Sequence, residues 1–125
     1  MNLLLDTHVF LRWAMGGDRL HQAARAAISD PEREVYVSAA TVWELSIKAQ
    51  LGKIEMPTTI EEALRRSGFL ALPITVQHAQ TAGALPRHHT DPFDRMLVAQ
   101  AMLERMILVT RDPTLRAYGV AILDG

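Results

Sequence analysis

The segment Leu3-Leu4-Leu5-Asp6-Thr7 decides the fold of this chain. Its three consecutive leucines predict a short strand that is buried on both faces, as strands of parallel sheets are. The strand ends at Asp6, and Thr7 is a suitable N-cap for a helix that runs to about Trp13. A buried strand followed at once by a helix indicates the first unit of an alternating α/β fold.

The same alternation continues along the chain. Further strands are predicted at residues 35–37, 107–109 and 120–123, with a short extended segment at 69–74. Helices are predicted between them, beginning at Asp18, after the cap Ser38, at Ile60, after the cap Thr75, and at Pro92. Strands that alternate with helices predict a central parallel sheet covered on both faces, a three-layer α/β/α sandwich. The 125 residues fit one domain, residues 1–125.

Composition excludes several kinds of site. The chain has no cysteine, which excludes disulfides, zinc–thiolate sites and cysteine nucleophiles. Its net charge of −1, from 13 basic and 14 acidic residues, does not suit binding of nucleic acid by bulk charge. A nuclease remains possible, because four acids neutralised by metal would leave −1 + 4 = +3.

Neither a leader nor a membrane segment is expected. The first residues carry no basic region and already include an acid at position 6, which is unlike a signal peptide. No apolar run approaches the roughly 20 residues that span a bilayer. We therefore predict a cytoplasmic protein with no membrane partner.

Acidic residues are the candidates for chemistry. Asp6 and Asp112 each follow a predicted strand, at the sheet edge where ligand sites of α/β proteins form. Glu44 lies inside a largely apolar helix, where it is either solvated or held against something positive. Asp91 and Asp94 are three residues apart, so they share a helix face near its positive N-terminus.

Each acid also has a structural interpretation. Asp91 and Asp94 are typical of a helix start, and Asp112 before Pro113 is typical of a turn. Taken together, however, acids gathered at one edge would repel one another unless a cation neutralised them. Oxygen ligands favour Mg²⁺ or Mn²⁺ over zinc. Such ions activate water and stabilise charge in phosphodiester hydrolysis.

Five segments together resemble a known family. They are Leu-Leu-Asp-Thr-His at 4–8, Val-Ser-Ala-Ala-Thr-Val-Trp-Glu-Leu-Ser-Ile-Lys at 37–48, Leu-Gly-Lys-Ile at 51–54, the segment at 85–101, and Leu-Val-Thr-Arg-Asp at 108–112. In this order they resemble the PIN domain, and more closely the VapC-type ribonuclease toxins of toxin–antitoxin pairs. The block Asp-Pro-Phe-Asp-Arg at 91–95 is the most specific of these matches and indicates a subgroup.

The resemblance implies both a site and an activity. Its four acids fall on Asp6, Glu44, Asp94 and Asp112, as catalytic residues and metal ligands, with Asp91 as an auxiliary ligand. It implies an endoribonuclease that depends on Mg²⁺ or Mn²⁺ and leaves a 5′-phosphate and a 3′-hydroxyl. It also implies an RNA substrate, a homodimer, and a VapB-like antitoxin whose tail occupies the active site.

Several side chains near the acids have open roles. Thr7 and Thr110 are predicted to orient a ligand or water, although both also suit caps and strand ends. Arg95 and Arg111 are predicted to hold phosphate, with structural ion pairs as the rival interpretation. His88 and His89 are interpreted as solvated loop residues, with contact to RNA or a partner as the rival interpretation.

Three other functions are alternatives to a nuclease. A haloacid-dehalogenase-like phosphatase is disfavoured because it would need a second Asp two residues after Asp6, where His8 stands. A phosphorelay receiver is excluded because it needs a lysine on a late strand, and none follows Lys53. A non-catalytic module of the same fold that only binds RNA or antitoxin remains an alternative.

Overall fold

The central sheet of the computed structural model, which describes residues 1–125, contains five parallel strands. The strands are β1 (Leu3–Leu5), β2 (Val35–Ser38), β3 (Leu70–Leu72), β4 (Ile107–Thr110) and β5 (Ile122–Asp124), in the order β3-β2-β1-β4-β5. The helices are α1 (Thr7–Ala14), α2 (Gln22–Ser29), α3 (Ala39–Gln50), α4 (Ile60–Ser67), α5 (Val76–Ala84), α6 (Pro92–Glu104) and a 3-10 helix (Pro113–Tyr118). The predicted three-layer α/β/α fold is confirmed.

The core lies on both faces of the sheet because successive residues of a strand point in opposite directions. Leu3 and Leu5 face one hydrophobic cluster, which also contains Phe10 of α1. Leu4 faces a second cluster with Leu97 of α6. All three leucines of β1 are fully buried, as the apolar run predicts.

Two predicted helix starts are wrong. Asp6, not Thr7, caps α1: its side chain accepts a hydrogen bond from the Val9 amide at 2.7 Å. The helix expected from Asp18 begins only at Gln22, because the preceding turns first bring the chain back to the core. The last strand also begins later than predicted, at residue 122 instead of 120.

The register of the sheet positions the site. Leu5 of β1 pairs with Val109 of β4, so the residues that follow, Asp6 and Thr110, lie side by side at the carboxyl edge. Helices α1 and α3 start at the same edge, directly after β1 and β2. None of the helices is both long enough and apolar enough to span a membrane.

Candidate active site

Asp6 is the buried acid of the candidate site, at the end of the central strand. It is only 5% exposed. Its Oδ1 accepts the Val9 amide at 2.7 Å, and its Oδ2 accepts the Thr110 hydroxyl at 2.5 Å. Burial raises the pKa of Asp6; the bonds from Thr110 and Val9 and the charges of His8 and Arg12 oppose that rise only in part. The protein therefore holds a carboxylate where it is costly to leave it charged.

Glu44 reaches the same edge from α3. It is buried, and its Oε2 accepts from Lys48 Nζ at 2.8 Å, one helical turn away. Its Oε1 accepts the Thr7 hydroxyl at 2.7 Å. Of the two environments that the sequence leaves open, the structure therefore shows the one in which a positive group balances the charge. Because Thr7 follows Asp6 directly, its hydroxyl links the end of β1 to this glutamate.

The start of α6 contributes two more carboxylates. Asp91 is the N-cap, and its Oδ1 accepts hydrogen bonds from the Phe93 amide at 2.8 Å and from the Asp94 amide at 3.4 Å. Burial and the neighbouring charge of Asp91 raise the pKa of Asp94 to about 7. The charges of Asp6 and Glu44 contribute to this rise, whereas the charge of His89 opposes it. Four acids from three elements thus interact electrostatically at one place.

Asp112 lies at the outer side of the site, where it caps the 3-10 helix. Its Oδ1 accepts the Thr114 amide at 3.0 Å and the Thr114 hydroxyl at 2.7 Å. Its Oδ2 lies 2.8 Å from His89 Nε2. Burial acts to raise the pKa of Asp112, but the hydrogen bonds from Thr114 and His89 outweigh it and lower the pKa below its ordinary value.

The structure contradicts the interpretation of His89 as a solvated residue. Its Nδ1 accepts the Asp91 amide at 3.0 Å, so the neutral ring carries its proton on Nε2. Nε2 donates to Asp112 and also lies 3.4 Å from Asp94 Oδ2. His89 thus joins two of the predicted site acids. The sequence contains no signal that separates it from its neighbour His88.

Both arginines predicted to hold phosphate are occupied by backbone carbonyl groups. Arg95 donates to four of them, those of Ala82, Leu85, Pro86 and His89. Arg111 donates through Nε to the Gly125 carbonyl at 2.5 Å and through its terminal nitrogen to the Arg19 carbonyl. The contacts of Arg95 stabilise the loop before α6, and those of Arg111 stabilise the segment after β4. A role of either side chain in phosphate binding stays a prediction.

The donor set fits a hard divalent cation. Asp6, Asp94 and Glu44 present carboxylate oxygens, the ligands that Mg²⁺ and Mn²⁺ prefer. Three potential ligand atoms lie within 4.8 Å of one another, one from each of His89, Asp94 and Asp112. In the observed hydrogen-bond pattern, Nε2 of His89 is a donor and not a ligand, so the carboxylates are the candidates. Burial, together with the charges of the neighbouring carboxylates, disfavours the charged form of Asp94, and a bound cation would favour it.

Sequence comparisons with known proteins identify the family of this chain. A family model described as PIN domain matches residues 3–121. Over 119 residues the chain is 34% identical to Ribonuclease VapC22 of Mycobacterium tuberculosis, covering 93% of this chain and 91% of that protein.

Solved structures with the same fold are more distant in sequence. A toxin–antitoxin complex from Klebsiella pneumoniae has a chain with a TM-score of 0.70 at 19% identity, covering 98% of this chain and 97% of that one. VapBC2 from Rickettsia felis, bound to a DNA fragment from its promoter, has a chain with a TM-score of 0.73 at 14% identity, covering 98% of each. At these identities the likeness concerns the fold alone.

Proposed function

The chain belongs to the PIN domain family and, within it, to the VapC-type proteins, and from this premise we propose that it is the ribonuclease toxin of a toxin–antitoxin pair. The proposed reaction is metal-dependent hydrolysis of RNA phosphodiester bonds, leaving a 5′-phosphate and a 3′-hydroxyl. One observation carries the proposal. Asp6, Glu44 and Asp91 all interact with Asp94, whose pKa is raised to about 7 in a protein with no cysteine to offer a softer site.

Asp6 and Asp94 are the proposed principal ligands of a Mg²⁺ or Mn²⁺ ion. Glu44 and Asp112 would complete the acidic wall, and Asp91 would assist through the carboxylate oxygen that its capping bonds leave free. When bound, such an ion supplies an activated water and stabilises charge on the phosphate and the leaving oxygen.

The protein's own groups prepare these carboxylates. The Thr110 hydroxyl holds Oδ2 of Asp6, and the Thr7 hydroxyl holds Oε1 of Glu44, so neither acid is free to rotate. Asp94 retains its proton up to about pH 7 and must release it to become a ligand. Orientation by buried hydroxyls reduces the reorganisation that substrate and metal would otherwise require.

The proposed partners are RNA, a VapB-like antitoxin and a second copy of the chain. The family membership supports the antitoxin, and a toxin–antitoxin complex is among the proteins with this fold. An exposed apolar row on one side of α3 supports a homodimer: Trp43, Ile47 and Leu51 follow one another at helical spacing. We further propose that residues 1–125 form one domain and that it acts in the cytoplasm, where its RNA would be.

The test compares the purified, antitoxin-free protein with Asp6→Asn on a mixed RNA pool containing Mg²⁺ or Mn²⁺. We expect cleavage that a chelator stops and that the substitution abolishes. Asp124→Asn is the matched control, because Asp124 is an exposed acid at the same sheet edge, at the end of β5. Equal cleavage by the wild type and Asp6→Asn would refute the assigned site.

The ends of the products test the finer chemistry. A 5′-phosphate makes the downstream fragment a substrate for a 5′-phosphate-dependent exonuclease, whereas a 5′-hydroxyl protects it. A 2′,3′-cyclic phosphate on the upstream fragment would refute the proposed reaction, because hydrolysis by an activated water leaves the ribose hydroxyls unmodified. If the wild type cleaves nothing while still binding RNA or antitoxin, the chain is the non-catalytic module instead.

A further inference from the structure

A second cavity in the protein lies outside the acid cluster. It has a volume of about 560 Å³ and is bounded by α1 and the loop that follows it. His8 and Arg12 line it from α1, with Leu11 and Met15 as the apolar wall, and Asp18 and Arg19 line it from the loop. His8, Leu11 and Arg12 of α1 and Met15, its C-cap, have the spacing of a single helix face, so the cavity extends along the helix axis.

The two arginines of this cavity have no partner within the protein. No hydrogen bond or ion pair engages the guanidinium group of Arg12 or of Arg19. Their backbone carbonyl groups accept hydrogen bonds, from the Gly17 amide and from Arg111 respectively. Arg95 and Arg111, by contrast, are occupied by carbonyl oxygens. Two unpaired guanidinium groups that face one cavity are suited to a ligand with anionic oxygens, which they can grip in a bidentate manner.

The cavity begins where the acid cluster ends. Asp6 caps the first turn of α1, and Arg12 lies six residues further along, which is about 9 Å of helix rise. The charges of His8 and Arg12 are close enough to lower the pKa of Asp6. A ligand in the cavity would therefore lie beside the acidic site without contacting its carboxylate groups.

From this juxtaposition we propose that the cavity of His8, Arg12 and Arg19 binds a backbone phosphate of the RNA strand, next to the phosphate being cleaved. The inference rests on the proposed ribonuclease function, because RNA is the ligand that presents phosphates in succession at short spacing. Leu11 and Met15 provide an apolar surface for the attached ribose or base. Asp18 is the one negative group in the lining and weakens the attraction.

The test measures binding separately from cleavage. Asp94→Asn is the background, since on the proposed function it does not cleave. A short fluorescein-labelled single-stranded RNA of mixed sequence is titrated against it in Mg²⁺ buffer at several salt concentrations, and binding is measured by fluorescence anisotropy. Arg12→Gln and Arg19→Gln should each weaken binding about tenfold. Each should also reduce the slope of log K against log salt by about 0.7, the value for one lost contact to a single strand.

Two further variants distinguish a local site from bulk charge. Arg105→Asn removes one exposed positive charge at the opposite edge of the sheet and should leave the affinity unchanged. Asp18→Asn removes the opposing charge from the cavity and should strengthen binding, an outcome that damage to the fold would not produce.

The possible results separate this inference from the function on which it rests. The cavity assignment would be overturned if Arg12→Gln and Arg19→Gln had the same RNA affinity and the same salt slope as the background. This holds even if the wild type cleaves RNA. The cavity assignment would also be overturned if Arg12→Gln and Arg19→Gln weakened the binding of an acidic peptide but left the affinity for RNA unchanged. If the arginine variants weaken RNA binding but the wild type cleaves nothing, the cavity assignment stands and the nuclease proposal fails.

Discussion

Asp6 and Asp112 follow two adjacent strands of the sheet, and both cap the helix that comes next. Each carboxylate also accepts a threonine hydroxyl, from Thr110 and Thr114 respectively. Yet the pKa of Asp6 is raised and the pKa of Asp112 is lowered. The difference lies in burial, because Asp6 is enclosed at the central strand whereas the side chain of Asp112 is 32% exposed.

This comparison shows that one local motif has opposite electrostatic consequences in two environments. Desolvation dominates at Asp6, so its hydrogen bonds only moderate the cost of charge. At Asp112 desolvation is outweighed, and the same kind of bond stabilises the carboxylate. A bound cation would therefore relieve a cost of charge at Asp6 that is absent at Asp112, which predicts unequal roles for two residues that look equivalent in sequence.

The largest expected contrast is in catalysis. Asp6→Asn should lower the single-turnover rate of RNA cleavage by about 10³-fold or more, because it removes a principal ligand. Asp112→Asn should lower it by only about 10- to 100-fold, the range for groups that support a metal site from outside. An equal decrease of the cleavage rate in the two variants would show that Asp112 is as important a metal ligand as Asp6.

The supporting threonines should differ in their effect on stability. Thr110→Val removes a donor from the buried Asp6 carboxylate and should lower the free energy of unfolding by about 2 kcal/mol. Thr114→Val removes the equivalent hydroxyl from the exposed Asp112, and should cost less than about 0.5 kcal/mol because water replaces it. Urea denaturation of both metal-free variants at pH 7 measures the difference, and a cost at Thr114 as large as that at Thr110 would contradict the burial argument.

Metal affinity should depend on pH through the inner acids. In the folded protein Asp94 has a pKa of about 7 against an ordinary 3.8, so at pH 6 it holds a proton that must leave before a cation binds. The affinity for Mn²⁺, measured by calorimetry, should rise about tenfold from pH 6 to pH 8 and level off above. For the same reason Asp94 makes the metal-free protein less stable as the pH rises from about 4 to about 7.

Two variants test which acid causes this pH dependence. Asp112→Asn should retain it, because the pKa of Asp112 is already below its ordinary value. Asp94→Asn should bind Mn²⁺ more weakly and lose most of the dependence. Persistence of the full tenfold change in Asp94→Asn would assign the proton to another group.

The smallest expected effect concerns the bridge between the inner and outer acids. His89→Ala removes a donor to Asp112, so the pKa of Asp112 should move up towards its ordinary value while the Thr114 bonds keep it from rising fully. Carboxyl carbon NMR titration of the metal-free protein measures the shift. His88→Ala is the matched control, because His88 packs against Tyr118 and its side chain makes no hydrogen bond or ion pair with the acids. An unchanged Asp112 in His89→Ala would show that the bridge has no electrostatic effect.

Much of the fold could be predicted from local patterns. The leucine run of β1, the cap at Ser38 and the cap at Asp91 appear in the structure where the sequence predicts them, because each depends on burial or on hydrogen bonds a few residues away. The start of α2 could not be predicted in this way. Asp18 is a good cap by type, but the turn must first bring Leu20 into the core before a helix can form.

The candidate site, like the fold, could be predicted only in part from the sequence. The sequence by itself determined which acids follow strands or begin helices, and therefore that Asp6 and Asp112 would lie at one edge of a parallel sheet. Only the tertiary structure decided that Asp94 would be half-buried near three other carboxylates, that His89 would join Asp94 to Asp112, and that the guanidinium groups of Arg12 and Arg19 would face a cavity. Capping and strand formation depend on neighbours along the chain, whereas desolvation and charge interactions depend on distances in space, which no local pattern contains.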